Sequence, residues 1–199
     1  FVSRAGEVGI DVVTDQAFTS QSNIDFSVQL QAVKDSGAEL VFLPIYAQEA
    51  AYILTQAKSA GIEATFFGCD GLDGILTKIG EGNTDACEGV MLLTPFAADA
   101  QDEKTVNFTT KYKEQFGETP DQFAADAYDA VYAIKAAMEQ AGITDLDDPD
   151  LNEKLISAMT EITVEGVTGT MTWDAEGEPS KSATAVVIKD GAYVAYSAQ

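Results

Sequence analysis

Two polar side chains with useful chemistry follow predicted strands at the points where those strands end. Asp70 follows the predicted strand 65–67 after Gly68 and Cys69, and Tyr46 follows the predicted strand 40–43. Ligands of open parallel sheets bind outside the carboxyl ends of the strands. A carboxylate at this edge is suited to pair with a cationic group that has lost part of its hydration. The alternative for Asp70 is an ordinary cap of the helix that follows.

Two aromatic residues and two glycines complete the set of candidates for ligand contact. Tyr46 offers an apolar ring face and a hydroxyl, which suits an amphipathic ligand. Phe123 stands at the start of a long predicted helix, and Gly68 and Gly71 would let the backbone approach a ligand closely. Both aromatic residues also fit plain packing, so the alternatives stay open. The sequence therefore gives Asp70, Tyr46 and Phe123 as candidate ligand-binding residues.

The composition argues against catalysis, bound metal and a cofactor. The chain has no His, which removes the commonest general base and the commonest transition-metal ligand. Cys69 and Cys87 are too few for a zinc site, and we expect them at opposite ends of the sheet and not bonded to each other. No phosphate- or dinucleotide-binding motif is present. The Asp residues between 145 and 150 fit a capped helix start better than a calcium loop. We predict no catalytic residue, no metal site and no cofactor.

The net charge narrows the choice of partners. The 33 acidic residues outnumber the 11 basic ones and give a net charge of −22. Such a surface repels phosphate groups, so the sequence predicts neither a nucleic acid nor an anionic lipid surface as partner. The first five residues lack the basic and apolar pattern of a signal peptide and have no initiator Met. We therefore expect a processed or truncated product.

The first half of the chain alternates strands with helices. Apolar runs predict strands at 10–13, 40–43, 65–67 and 90–93, with amphipathic or alanine-rich helical stripes between them. The uninterrupted run Leu40-Val41-Phe42-Leu43 is typical of a strand buried on both faces. This alternation predicts βαβ units and a doubly wound, mainly parallel sheet.

After Pro95 the pattern changes to helices alone and then to short strands. Residues 103–161 predict three helices, the last begun by Asp148-Pro149, and a hairpin is predicted around Asp190-Gly191. Three consecutive helices with no strands of their own to cover predict a missing partner lobe. The residues predicted to face inward on the long helix are Ala124, Ala127, Tyr128, Val131, Ile134 and Met138.

Three stretches, in this order and spacing, resemble the Leu/Ile/Val-binding protein family, type I periplasmic binding proteins of ABC transport. They are Asp25-Phe26-Ser27 through Gly37-Ala38-Glu39-Leu40-Val41-Phe42 to Tyr46; Ala127-Tyr128-Asp129-Ala130-Val131; and Gly166-Val167-Thr168-Gly169 with Trp173-Asp174, Gly177, Val187-Ile188 and Asp190-Gly191. The resemblance implies a carboxy-terminal fragment of a two-lobed α/β protein. Residues 1–95 then match lobe two without its first strand, 96–162 match a helical segment of lobe one, and 163–199 match the crossover and last strands of lobe two.

The resemblance also implies roles for the three candidates. Asp70 matches the acidic residue that receives the α-ammonium of an amino acid, Tyr46 an aromatic residue that closes over it, and Phe123 a position lining the side-chain pocket. The ligand carboxylate is held in the family by hydroxyls and helix-terminal amides of lobe one, which fits the attraction of helix amino termini for anions. This half of the site is expected in the missing amino-terminal lobe.

The function implied is that of an extracytoplasmic solute-binding component, which captures a branched-chain or similar amino acid for an ABC permease. The resemblance further implies a lipid anchor in the missing amino terminus. A ligand-sensing receptor domain of the same fold is one alternative. A doubly wound enzyme using Asp70 as nucleophile or base is another, and the absence of His and of cofactor motifs disfavours it.

Overall fold

The computed structural model describes residues 1–196 and places helices and strands in alternation over the first half of the chain. The helices are α1 Val2–Glu7, α2 Ser27–Ser36, α3 Ala47–Ser59, α4 Ile75–Lys78, α5 Glu103–Phe116, α6 Gln122–Gln140 and α7 Leu151–Met159. The strands are β1 Leu40–Leu43, β2 Thr65–Gly68, β3 Met91–Thr94, β4 Val164–Gly166, β5 Gly169–Met171, β6 Thr184–Lys189 and β7 Ala192–Ala195. Short 3₁₀ helices cover Asp70–Leu72 and Thr84–Cys87.

Five strands form one sheet in the order β1-β2-β3-β6-β7. The pairs β1–β2 and β2–β3 are parallel, with Leu40 opposite Thr65 and Phe67 opposite Met91. A second, two-stranded sheet pairs β4 with β5 in antiparallel register, with Val164 opposite Met171. The predicted α/β fold with a mainly parallel sheet is confirmed.

The helices of the first half form where the apolar spacing predicts them. In α3 the stripe of Ala47, Ala50, Ala51, Leu54 and Ala57 is buried throughout, because residues three and four apart share one helix face. Helix α2 ends at Gly37, whose φ of 67° lies in the left-handed region that a glycine adopts without steric cost.

The strand predicted at 10–13 is absent, and the strand predicted at 40–43 forms without the expected burial. Residues 10–13 form no strand, and Ile10 and Val13 are each 52% exposed. Among the described residues no other strand pairs with them, and an extended segment without a ladder partner is not a strand. Strand β1 forms at the predicted residues, at the edge of the sheet that the described residues build. It is not buried on both faces, since Leu40 is 49% exposed and only Leu43 is buried.

The chain divides into two compact units. The first contains residues 1–92 and 187–192, and the second contains residues 93–186 together with Tyr193 and the described residues after it. The second unit has two apolar clusters, one around Ala133, Ala137, Ile162 and Met171, and one formed by Phe96, Phe108, Ala125 and Val167. The assignment of residues 1–95, 96–162 and 163–199 to two lobes stays a prediction.

The face of α6 that the sequence predicts to be buried is wrong, because its most apolar residues are exposed. Val131 and Ile134 are 66% and 53% exposed. The buried residues of this helix are instead Gln122, Ala125, Asp129, Ala133 and Ala137. Helix α6 carries apolar residues on more than one face. The face that packs within this unit contains Gln122 and Asp129, whose side chains form hydrogen bonds to Thr94 and Val167.

Two local predictions in the second half have different outcomes. The turn between β6 and β7 is confirmed, because Asp190 and Gly191 have φ values of 51° and 72°, as a primed hairpin turn requires. Helix α7 begins at Leu151, after the N-cap Asp150, and not at Pro149. Asp148 shapes the approach to this helix by accepting a hydrogen bond from the amide of Asp150.

Within residues 1–196, no helix combines the length and the apolar character needed to cross a bilayer.

Candidate functional site

Asp70 lies beyond the carboxyl end of β2, where the chain turns into the short 3₁₀ helix. It is the first residue of that helix, and its side chain is exposed. The N-cap positions nearby are Cys69 for the 3₁₀ helix and Gly74 for α4. Asp70 therefore does not occupy an N-cap position of either helix, which weakens the capping alternative.

The two flanking glycines make room for the protein's own atoms. A Cβ at Gly68 would lie 2.2 Å from Cδ1 of Leu72, which is fully buried. A Cβ at Gly71 would lie 2.6 Å from the carbonyl oxygen of Ile45. Real Cβ contacts this short do not occur, so both positions need glycine for packing. This differs from the expected close approach of backbone to a ligand.

Gly71 also brings the loops of Asp70 and Tyr46 together. Its Cβ position would be 3.5 Å from Cδ1 of the Tyr46 ring, an ordinary contact distance. Tyr46 is the N-cap residue of α3, and 73% of its surface is exposed. The structure thus places an exposed carboxylate and an exposed phenol ring on adjacent loops at the carboxyl ends of β1 and β2. This is the edge at which open parallel sheets bind ligands.

The two cysteines are free thiols, Cys69 partly exposed and Cys87 buried. Burial and then the negative charge of Asp70 raise the pKa of the Cys69 thiol. Burial and then Asp85 raise the pKa of the fully buried Cys87 thiol to about 11. The thiolate is the nucleophilic form of cysteine, so both environments oppose thiol chemistry at neutral pH.

Phe123 belongs to the second compact unit, whereas Asp70 and Tyr46 belong to the first. It is the second residue of α6 and is 44% exposed. The turn that carries it is fixed by the side chain of Asp121, which accepts a hydrogen bond of 2.9 Å from the amide of Ala124. The neighbouring Gln122 is buried and bonded to Thr94 at a distance of 2.9 Å. An ordered helix start thus carries a ring that is only half covered.

Sequence reasoning missed the buried polar residues that hold this second unit together. Asp129 is 2% exposed, and its carboxylate accepts hydrogen bonds from the amides of Val167 and Thr168 and from the Thr168 hydroxyl. Gln122 and Thr94 form the second buried pair. The available signal was an Asp in the middle of an apolar helix, together with the Gly-Val-Thr-Gly turn that supplies donors.

No cluster of three or more His, Cys, Asp or Glu side chains suited to a metal occurs within residues 1–196. The acidic residues at 145–150 bond locally: Asp145 accepts from the amide of Asp147, and Asp148 pairs with Lys154 at 2.5 Å. These contacts are those of a turn and a helix start.

The sequence of this chain is similar to those of known binding proteins. The family model described as periplasmic binding protein matches residues 1–192. A leucine-, isoleucine-, valine-, threonine- and alanine-binding protein of Pseudomonas aeruginosa is 29% identical over 172 residues, which are 86% of this chain and 43% of that protein. The chain thus spans less than half the length of this relative.

Solved structures with the same fold cover this chain almost completely. A leucine-binding protein from Thermotoga maritima superimposes with a TM-score of 0.83 at 24% identity, over 99% of this chain and 54% of that one. A solute-binding protein of an ABC transporter from R. palustris, in complex with benzoate, superimposes with a TM-score of 0.82 at 18% identity, over 96% of this chain and 51% of that one. At these identities the likeness establishes the fold.

Proposed function

This chain belongs to the periplasmic binding protein family, and we propose that its full-length polypeptide binds a branched-chain or similar aliphatic amino acid outside the cytoplasm for an ABC permease. The observation that carries the proposal is the contact of the Asp70 and Tyr46 loops through Gly71. It supports a site in which charge and an aromatic ring face the same ligand. The proposal includes a lipid anchor at the membrane and no catalytic step.

Asp70 receives the α-ammonium of the ligand. A primary ammonium carries three donors and a full charge, and an ionised carboxylate is the strongest side-chain acceptor for it. The nearby Tyr46 supplies an apolar face for the carbon skeleton. Its 73% exposure leaves a ring surface whose burial by the ligand and by closure of the protein is favourable. Phe123 lines the pocket for the ligand side chain.

A second lobe, formed by the rest of the polypeptide, completes the protein in this proposal. The support is apolar surface in each compact unit. A groove of about 760 Å³ lies beside β1 and is lined in part by Ile10, Val13 and Leu40. A cavity of about 620 Å³ beside α6 is lined in part by Val131 and Ile134. Exposed apolar surface of this kind is typically buried by another part of the protein. The Pseudomonas relative is more than twice as long as its matched segment, so a full-length polypeptide of similar length would contain residues that could cover this surface.

The carboxylate of the ligand is held by that second lobe. The described loops around Asp70 present a negative group, which repels a carboxylate and attracts an ammonium. Binding then requires both lobes to contact one ligand, and hinge closure around it converts the extra contacts into a shift toward the closed form. The closed form docks on the permease.

Ligand chemistry separates this function from the rival functions. The benzoate complex of a similar fold means that the fold alone does not select an amino acid. Asp70 favours the amino acid, because benzoate has no cation to offset the charge of a carboxylate. A receptor domain of the same fold would bind the same ligand without a permease, and its genetic neighbourhood distinguishes it.

The test is isothermal titration of the full-length protein and of the present 199-residue chain with leucine, isoleucine, valine, alanine and benzoate. We expect the full-length protein to bind one or more aliphatic amino acids and not benzoate, and the 199-residue chain to bind the same ligands much more weakly. Equally tight binding by the two proteins contradicts the division of the site between lobes. Absence of amino-acid binding by the full-length protein contradicts the proposed function.

A further inference from the structure

A groove in the first compact unit is lined by residues 10–13 and by strand β1. Its volume is about 760 Å³. Apolar residues of both segments line it, namely Ile10, Val12 and Val13 together with Leu40, Val41, Phe42 and Leu43. Ile10 and Val13 are each 52% exposed, and Leu40 is 49% exposed. Two apolar segments with the composition of strands thus border one open space.

The backbone of β1 has hydrogen-bonding groups on its open side. The carbonyl of Glu39 accepts a hydrogen bond of 2.9 Å from the amide of Thr65 on the β2 side. The backbone groups of successive strand residues point alternately to the two sides, so Leu40 and Phe42 direct their N–H and C=O groups away from β2. Strand β1 is the first in the order of the sheet, and no strand within residues 1–196 pairs with this open side.

Strand β1 lacks the features that keep an edge strand from further pairing. Natural edge strands carry charges, prolines or bulges that oppose the addition of another strand. The four residues of β1 are all apolar, and they pair with β2 without a bulge, from Leu40 opposite Thr65 to Leu43 opposite Gly68. An uninterrupted apolar run is typical of an interior strand in a parallel sheet.

The order of the chain leaves room for one strand between residues 10–13 and β1. Residues 10–13 are followed by α2 and then by β1, the order of a crossover that joins two parallel strands through a helix. Consecutive strands are neighbours in roughly two-thirds of cases, and in the others a different strand lies between them. The groove that both segments line is the place for such a strand.

We propose that this groove accepts one extended apolar strand from the remainder of the full-length polypeptide, which pairs with β1 on one side and with residues 10–13 on the other. The inference rests on the proposed function, in which a longer polypeptide completes the protein. Pairing on both sides makes β1 an interior strand and gives residues 10–13 the ladder that their composition predicts. The side chains of the added strand cover Ile10, Val13 and Leu40.

Site-resolved amide hydrogen exchange of the full-length protein tests this pairing. Val41 and Leu43 are the matched controls in the same strand, because their amides face β2. We expect the amides of Leu40 and Phe42 to exchange within about tenfold of the controls, since all four are then bonded in a ladder. Alternate amides of residues 10–13 are protected as well, because only every second residue of a strand faces a given neighbour.

The 199-residue chain is the comparison for the same amides. We expect Leu40 and Phe42 to exchange at least about a hundredfold faster than Val41 and Leu43 in this chain, because their open side faces solvent. If the 199-residue chain does not fold, the comparison with Val41 and Leu43 inside the full-length protein decides.

Three results overturn the inference. Fast exchange of Leu40 and Phe42 in the full-length protein, with slow exchange of Val41 and Leu43, means that no strand pairs with β1. Protection of β1 without alternating protection at residues 10–13 indicates a helix or loop over the groove. Protection in the 199-residue chain that rises with protein concentration assigns the groove to a second copy.

Calorimetric titration of the same full-length sample with leucine measures the proposed function separately. Leucine binding together with fast exchange of Leu40 and Phe42 overturns the strand and leaves the proposed function in place. Slow exchange without amino-acid binding supports the strand and contradicts the proposed ligand.

Discussion

Asp129 and Thr168 are joined twice, since both the amide and the hydroxyl of Thr168 donate to Oδ2 of Asp129, at 2.8 and 2.6 Å. The amide of Val167 donates to the other carboxylate oxygen at 2.9 Å. Through these bonds a side chain in the middle of α6 holds the turn between β4 and β5. The three donated hydrogen bonds offset the hydration that the carboxylate loses on burial. Removing the carboxylate leaves those three donors unsatisfied.

The first prediction concerns this carboxylate. Asp129→Asn keeps the shape but replaces an acceptor oxygen with an amide group that faces donors. We expect the free energy of unfolding of the 199-residue chain to fall by about 2–3 kcal/mol, as measured by urea titration. Asp126→Asn, one turn earlier, is the matched control. Asp126 pairs with Lys181 at 2.6 Å in a partly exposed ion pair, so its loss should cost less than about 1 kcal/mol. Equal effects of the two substitutions would contradict the role given to Asp129.

The second prediction concerns the close packing of Gly166 on the same carboxylate. A Cβ at Gly166 would lie 2.2 Å from Oδ2 of Asp129, so either β4 or the carboxylate must move. We expect Gly166→Ala to destabilise the chain by about 1–3 kcal/mol in the same titration. Gly6→Ala is the control, because nothing lies within 4 Å of a Cβ built there, and it should be neutral or slightly stabilising. A neutral Gly166→Ala would refute the tight contact.

The third prediction concerns the contact between the Asp70 and Tyr46 loops. In Gly71→Ala the new methyl group meets the carbonyl oxygen of Ile45 at 2.6 Å and forces the loops apart. We expect amino-acid binding by the full-length protein to weaken about tenfold, the effect of losing about 1.4 kcal/mol of contact. Calorimetric titration measures it, with Gly6→Ala again as the control. Wild-type affinity in Gly71→Ala would show that the adjacency of the loops is unimportant for binding.

The fourth prediction concerns pH and the thiol of Cys87. Its pKa of about 11 in the folded protein means that the neutral thiol predominates at pH 8. In the unfolded chain the thiol has an ordinary pKa near 8.5 and loses its proton more easily. The folded state therefore loses stability as pH rises above the unfolded pKa, and the thiolate-dependent labelling of native Cys87 should be slow.

Labelling with a thiol reagent at pH 8 measures this behaviour. We expect Cys69, which is partly exposed, to react before Cys87 in the native protein, and two thiols to react after denaturation without reductant. Fast reaction of native Cys87 would contradict its burial. Labelling of fewer than two thiols after denaturation would indicate a disulfide.

The sequence predicts the elements of the first half well, because their patterns are local. The apolar residues from Ala47 to Ala57 share a single helix face, so the pattern predicts one buried face, and α3 forms there. The segment 10–13 has the composition of a strand but no ladder partner among the described residues, and pairing is a non-local property. Composition alone therefore predicts a strand where the structure has none.

Helix α6 shows why the candidate site was only partly predictable. Val131 and Ile134 dominate its apolar periodicity, yet the buried face contains Asp129 and Gln122. A buried polar residue is recognised only through its partners, and these lie 38 and 28 residues away in sequence, at Val167 and Thr94. Asp70 and Tyr46 were accessible to sequence reasoning because strand ends are local features, whereas their contact through Gly71 required the fold.

The most direct test of the proposed amino-acid binding is the affinity of Asp70→Asn for leucine and for 4-methylpentanoate, which is leucine without its ammonium. The measurement uses the full-length protein. Glu63→Gln, which removes an exposed charge before the other end of β2, is the matched control. If Asp70 holds the ammonium, Asp70→Asn weakens leucine binding at least about thirtyfold, as expected for a charge pair worth about 2 kcal/mol or more. The affinity for 4-methylpentanoate stays the same or improves, and Glu63→Gln binds like the wild type. Unchanged leucine affinity in Asp70→Asn would contradict the account.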